Sequence, residues 1–275
     1  MSYQALVCGA MVALALNAAS NASAQYRPRS ISNPAPSEQF HLEASVNTWS
    51  PSADLTFIGG GSGALSGIEG TEIDAKSDLG FVDKRVPQFN LTIRPGAAHK
   101  LRFQYIPLNY TAAATLTRDV VFNGQRFTAN LPVNTTLEWK AYRFGYEFDF
   151  IRRDQGFVGF ITELKYTDVN LEIASPLATE FADKRAPIPA LGGIGRVYLA
   201  PSFAVTGEVT AFKLPTVEDR YSGHYVDVDI YGTLNFSPNI GVQGGYRTLN
   251  LGYLFKEDSG AFKLKGIYFG VVARF

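Results

Sequence analysis

From about residue 40 onward the chain alternates polar and apolar residues with the period of two that marks strands, not the period of 3.6 that marks helices. In QFNLTIRP, Phe89, Leu91 and Ile93 oppose Asn90, Thr92 and Arg94. In HKLRFQYIPLNY, Leu101, Phe103 and Tyr105 oppose Lys100, Arg102 and Gln104, and Pro95-Gly96-Ala97-Ala98 supplies the turn between the two runs. The clearest segment is TTLEWKAYRFGYEFDF, where Tyr142, Phe144, Tyr146, Phe148 and Phe150 make one face and Ala141, Arg143, Gly145, Glu147 and Asp149 the other. Lipid contact accommodates such an aromatic face better than water or a soluble core does. Glu138 and Lys140 carry polar character in the opposite parity, which predicts a bulge or an exit from the bilayer near Lys140. Parity shifts again at Asp168.

Seven further segments alternate: FHLEASVNTW, FVGFITELKYTDVNLEI, GIGRVYL, FAVTGEVTAF, HYVDVDIYGTLNF, IGVQGGYRTLNLGYLF and AFKLKGIYFGVVARF, giving ten strands in all. Connections at 95–99, 151–156, 200–202 and 237–239 are short, and so is 256–260, whereas 51–86, 112–134, 174–190 and 214–223 are longer and richer in Gly, Pro or charge. With both termini periplasmic, the long set falls outside. In lipid every backbone group needs a partner, so strands that span must close on themselves. The pattern predicts an all-β fold, a closed antiparallel transmembrane β-barrel of ten strands, with eight as the alternative. A soluble sandwich or ligand-binding barrel would also alternate, but with polar outward faces. Here the face opposite the charges is apolar in strand after strand, so the charges are expected inside.

Composition narrows the class. Phe (20), Tyr (14) and Gly (26) are abundant, and the equal totals of 25 Lys plus Arg and 25 Asp plus Glu leave no basic surplus for nucleic acid. The opening stretch is continuously apolar from Ala5 to Ala15 and reads as a signal peptide, residues 1–24, with Ala22-Ser23-Ala24 as its cleavage site. Residues 25–38 read as a flexible periplasmic leader and 39–275 as the barrel. Cys8, the one cysteine, falls in the signal, which removes disulfide, Cys-zinc and cysteine-nucleophile readings together.

The candidate chemistry is a lumen network: Arg94, Arg102, Arg143, Glu147, Glu163, Lys165, Arg196, Glu208, Asp227, Asp229 and Arg247, with Lys100, Asp149 and Arg274 on the same predicted face. Long side chains of both signs in a narrow barrel are expected to meet across it as a hydrogen-bonded and ionic core. The alternative is a narrow polar channel. His41, His99 and His224 are expected at different ends, so no metal site is predicted, and no cofactor. Gly59-Gly60-Gly61 and Gly63 in the first loop lack the Lys-Ser/Thr of a phosphate-binding motif. Glu72, Asp74 and Asp78 there could bind a divalent ion, or could be an acidic solvated loop. The stretch IDAKSDLGF, ending at Phe81, is a candidate for re-entry into the barrel wall. Ser222, His224 and Asp219 can be written down as a hydrolase set.

The last strand resembles the terminal strand of Gram-negative outer-membrane β-barrel proteins, in which a final aromatic is preceded by apolar residues at alternate positions. Here those are Phe275, Ala273, Val271, Phe269 and Ile267. The resemblance implies recognition by the barrel assembly machinery and contact with outer-membrane lipids and lipopolysaccharide. Ten strands is also the count of the outer-membrane aspartyl-type proteases. That resemblance would require paired acids and an Asp–His pair at the outer rim; Asp227-Val228-Asp229 with nearby His224 resembles one half, but Tyr225 and Val226 interrupt an Asp-x-His arrangement. The functional expectation is a small, single-copy, non-enzymatic outer-membrane barrel with a mostly filled polar lumen and a structural or surface-contact role. A narrow porin-like channel for small solutes and an outer-rim hydrolase are the alternatives.

Overall fold

A computed structural model describes residues 40–61, 69–218, 220–256 and 258–275. The expected signal peptide with Cys8, the leader, Gly63 and Asp219 lie outside the described residues. The described chain is all β, in thirteen strands: β1 Leu42–Ile58, β2 Ile73–Asp74, β3 Val86–Gly96, β4 His99–Thr115, β5 Val120–Phe122, β6 Gln125–Phe127, β7 Pro132–Arg153, β8 Gly156–Ala174, β9 Thr179–Ala200, β10 Phe203–Val217, β11 Tyr221–Asn235, β12 Ile240–Phe255 and β13 Asp258–Arg274.

Ten of these form an antiparallel ring in which β1 meets β13 from Glu43↔Arg274 to Ile58↔Ser259. The expected closed, ten-stranded barrel is nevertheless corrected. β2 joins the sheet as an eleventh strand, β5 and β6 form a separate hairpin, and the ring does not close over its full height. The β1–β3 ladder stops at Trp49↔Val86 and the β3–β4 ladder at Phe89↔Tyr105. Above that level β1 and β4 continue for another nine and ten residues, to Ile58 and Thr115, with no strand of comparable length between them. The cause is local: β3 has 11 residues where its neighbours have 17.

The gap is filled by residues 73–85. Ile73 and Asp74 pair with Phe57 and Thr56, so IDAKSDLGF does re-enter the wall. Ile73, Ala75, Leu79 and Phe81 turn inward and are buried, and Phe81 stacks on Tyr110 at 5.7 Å. Side chains stand in for the missing ladder: the Ala53 N–H donates to Asp83 Oδ1 at 3.0 Å, Lys76 pairs with Asp83 at 2.9 Å, and Lys84 Nζ donates to the Asn109 carbonyl at 3.2 Å. The β5–β6 hairpin turns at Asn123 and Gly124, whose φ values of 52° and 83° are those of a type I′ turn. It buries Phe122 and Phe127 over the end of the ring remote from the termini.

Of the four expected long outer connections, those after β1 and β4 remain long, and those after β8 and β10 are corrected. Only 175–178 separate β8 from β9, and β10 runs to Val217 before β11 begins at Tyr221. Strands of 15 to 22 residues result, against about 9–11 needed to cross a bilayer. There is no bulge near Lys140, because both ladders of β7 pass through that residue in unbroken register. The same holds at Asp168. Side-chain parity is constant; what inverts is polarity. Below Lys140 the inward residues of β7 are Arg143, Glu147 and Asp149 and the outward ones aromatic; above it Trp139, Leu137 and Val133 are inward and Glu138 and Lys140 outward.

Candidate functional site

The tier near the termini holds the charged interior. A period-two strand in a narrow ring sends every second side chain inward, and long side chains from nearly opposite strands then reach one another. Beginning at Asp149, contacts run through ten residues of alternating sign. Lys100 pairs with Asp149 at 2.9 Å and with Glu147 at 2.6 Å. Arg102 joins Glu147 at 3.2 Å to Glu208 at 2.5 Å. Arg143 pairs with both Glu208 and Glu163. Lys165 joins Glu163 at 3.2 Å to Asp227 at 2.9 Å, and Arg247 donates to both Asp227 oxygens at 2.9 and 2.7 Å.

Five cations, Lys100, Arg102, Arg143, Lys165 and Arg247, thus face five carboxylates, Asp149, Glu147, Glu208, Glu163 and Asp227. A neutral, fully connected set is the arrangement in which buried charge is least costly. The Arg102–Glu208 pair, from β4 to β10, crosses the lumen.

The other predicted residues lie around this chain. Arg94 is buried beside Phe40 at 5.7 Å and donates to the Ala97 carbonyl at 3.1 Å. Arg196 donates from Nε to Thr206 Oγ1 at 2.8 Å. Asp229 accepts from the Tyr268 hydroxyl at 2.9 and 3.1 Å. Arg274 donates to Glu43 at 2.6 Å and also to Asn235. Sequence reasoning missed Tyr268 because the last strand was scored by its outward face; the inward parity of β13, running through Leu264, Tyr268 and Arg274, would have found it.

The outer tier is the reverse. Trp49, Leu55, Leu137, Trp139, Leu171, Phe262 and Leu264 fill it. Trp139 of β7 meets Phe262 of β13 edge-on at 5.7 Å, again across the ring. Arg247 lies 5.8 Å from the Trp49 ring, at the junction of the two tiers. Two cavities inside the ring of described residues are small: about 70 Å³ lined by residues that include Gln88, Asn90, Arg102 and Tyr231, and about 50 Å³ among Leu55, Phe122, Leu171 and Phe262, with no lining residue in common. A water needs about 10–15 Å³ measured this way, so the first has room for only a handful.

The rim residues do not assemble. Asp227 is 2% exposed and bound by Arg247 and Lys165. His224 lies on the opposite, exposed face of β11, with Nε2 3.4 Å from Asn250 Oδ1. His99 sits at the other end of the ring beside Tyr146, at 2.7 Å. Asp74 accepts from the backbone N–H groups of Ser77 and Lys76, and Asp78 pairs with Arg118 at 2.7 Å. Among the described residues no group of three or more His, Asp or Glu is placed to hold a metal ion. Ile267, Phe269 and Val271 are exposed on the outer surface, while Ala273 and Phe275 are half-buried. The Phe275 carbonyl accepts from the N–H groups of His41 and Leu42 at 2.7 and 2.9 Å.

The all-β fold resembles that of barrel-type outer-membrane proteins of Gram-negative bacteria. It is similar to the outer-membrane protease OmpT of Escherichia coli, with a TM-score of 0.53 and 10% identity over 85% of this chain and 96% of that one. The translocator domain of the autotransporter NalP from Neisseria meningitidis also matches, at a TM-score of 0.48 and 10% identity, over 99% and 98% of the two chains. At such identity the likeness to OmpT is one of fold. No protein-family model matches the sequence, and no curated protein matches it.

Proposed function

We propose that the chain resides in an outer membrane as a ring of strands with a filled lumen, serving a structural or surface-contact role and catalysing nothing in its interior. The observation that carries this reading is contact across the lumen at two heights, Arg102–Glu208 in one tier and Trp139–Phe262 in the other. Placement in a membrane is supported by the belt of exposed Phe144, Phe160, Leu164, Ile230, Ile267, Phe269 and Val271 around the charged tier. A continuous apolar surface of that kind is an interaction surface, not one left to water. The surface role is supported by the β8–β9 tip, where Leu177 is 83% and Phe181 65% exposed.

Planar-bilayer conductance of refolded protein, verified by heat-modifiable migration, tests the reading. Inserted protein is expected to give no single-channel steps. Reproducible steps that change size on Arg102 or Glu208 substitution would replace the filled lumen with a polar channel.

A further inference from the structure

The apolar belt has different relief on opposite sides of the ring. Between β11, β12, β13 and β1 it is interrupted by an outward-facing groove of about 690 Å³. Gly232 and Gly244, opposite each other in the β11–β12 ladder, leave its floor bare, and Val46, Leu234, Phe269 and Val271 form its walls. In the ten-stranded order β7 and β8 stand five places from β12 and β13, which sets them diametrically across the ring. There the belt projects instead: Phe160 of β8, 43% exposed, packs 6.4 Å from Tyr146 and 5.8 Å from Phe148 of β7. Ridge and groove lie at one height. Trp139 meets Phe262 across the ring, and Phe148 and Val271 each follow nine residues further along strands that both run toward the terminal end.

Beyond the belt the same two sides carry opposite excesses of charge. Above the ridge Glu138, Asp168, Glu172 and Asp183 stand outward with only Lys140 and Arg185 among them. On the groove side Lys263 stands between Asp54 and Asn250, and Lys265 between the uncharged Ser52 and Thr248. We infer that copies of this chain associate side by side in the membrane, the Phe160 ridge of one seated in the Gly232–Gly244 groove of the next and its carboxylates facing the next copy's lysines. The inference rests on the membrane placement proposed above. In lipid such contacts depend on van der Waals fit, which a bare glycine floor and a ridge of matching height supply. Two different faces set opposite each other make a head-to-tail contact, which repeats as an open row. A two-fold contact would set groove against groove, leave both floors empty and bring the lysines of the two copies together. The single copy expected from the sequence is thereby replaced by a row.

The test uses refolded full-length protein in phosphatidylcholine vesicles, treated with a water-soluble carbodiimide that joins an amine to a carboxylate only in direct contact. A ladder of dimers, trimers and larger species is expected on denaturing gels, with mass spectrometry finding Lys265 or Lys263 joined to Glu138, Asp168 or Asp183. Those residues lie on opposite sides of one ring, so such a link forms only between copies. Gly244→Leu fills the groove at a site where an added Cβ meets only the Tyr268 carbonyl oxygen at 3.5 Å and Phe269 Cβ at 3.9 Å, and Phe160→Ala removes the ridge. Each is expected to abolish the ladder while heat-modifiable migration persists. Monomer alone, with lipid filling the groove, a series that stops at the dimer, or a ladder unchanged in both variants overturns the inference. Flotation of the vesicles separates this from failure of the membrane reading: protein that floats and stays monomeric has lost only the lateral contact, and protein that does not float has lost both.

Discussion

The two tiers are built from the same strands in the same register, yet they solve opposite problems. Near the termini the inward face carries alternating charges and the outward face is apolar; beyond Lys140 and Lys265 the inward face is apolar and the outward face polar. On the proposed membrane placement, each tier sets its apolar residues where water is absent, outside against lipid in one and inside against other side chains in the other. The difference teaches that sheet geometry fixes which residues share a face, while the surroundings at each height decide which face is polar.

The largest effect separating the tiers is expected from the ion network. Asp227→Ala strands Arg247, whose only paired carboxylate among the described residues is Asp227, and is expected to destabilise by about 3–5 kcal/mol. Asp227→Ala/Arg247→Met is expected to recover much of the loss, since removing both charges leaves neither uncompensated. Urea unfolding followed by tryptophan fluorescence measures both; a double variant no better than the single would show that the charges are not coupled.

A smaller contrast comes from outward positions. Ile230→Arg, in the belt, is expected to cost about 2–4 kcal/mol when folding is measured in lipid vesicles. Asn134→Arg, exposed in the outer tier of β7, is expected to change stability by no more than about 0.5 kcal/mol. Equal costs at the two sites would erase the proposed boundary.

The smallest effect concerns the wall segment 73–85. The Ser77 N–H holds the Asp74 carboxylate below its ordinary range. At Asp83 partial burial pushes upward, but the Ala53 N–H and Lys76 outweigh it, so the net direction is also down. Groups lowered on folding add stability that is fully present above the unfolded value of about 3.9 and is lost as pH falls through the folded one. Hydrogen exchange, corrected for intrinsic rate, is therefore expected to show 73–85 opening below about pH 4 while the β7–β8 ladder stays protected. Opening of both together would mean that the segment is not a separate unit.

Much of the terminal tier was legible in the sequence. The run from Tyr142 to Phe150 and the charges opposite it give strand, parity and inward face at once. The outer tier was harder, because Leu137, Trp139, Leu171 and Ile173 sit inward in the parity that carries charge lower down, so a reading that fixed one polarity per face took these stretches for loops or bulges. Of the incomplete upper wall only the re-entry of IDAKSDLGF was legible. The rest depends on how far β3 extends past Val86, and the pairing of Asp83 with Ala53 and Lys76 is a tertiary match between distant residues. Nor does alternation reveal which charges meet: Arg102 and Glu208 are 106 residues apart.

The polarity boundary at Lys140 and Lys265 is open to a cysteine scan of one outward face. In a Cys8→Ser background, single cysteines at Phe269, Ile267, Lys265 and Lys263 would be treated with a membrane-impermeant maleimide in vesicles. Protection is expected at Phe269 and Ile267, and rapid labelling at Lys265 and Lys263. Uniform labelling of all four positions, or protection extending to Lys263, would contradict it.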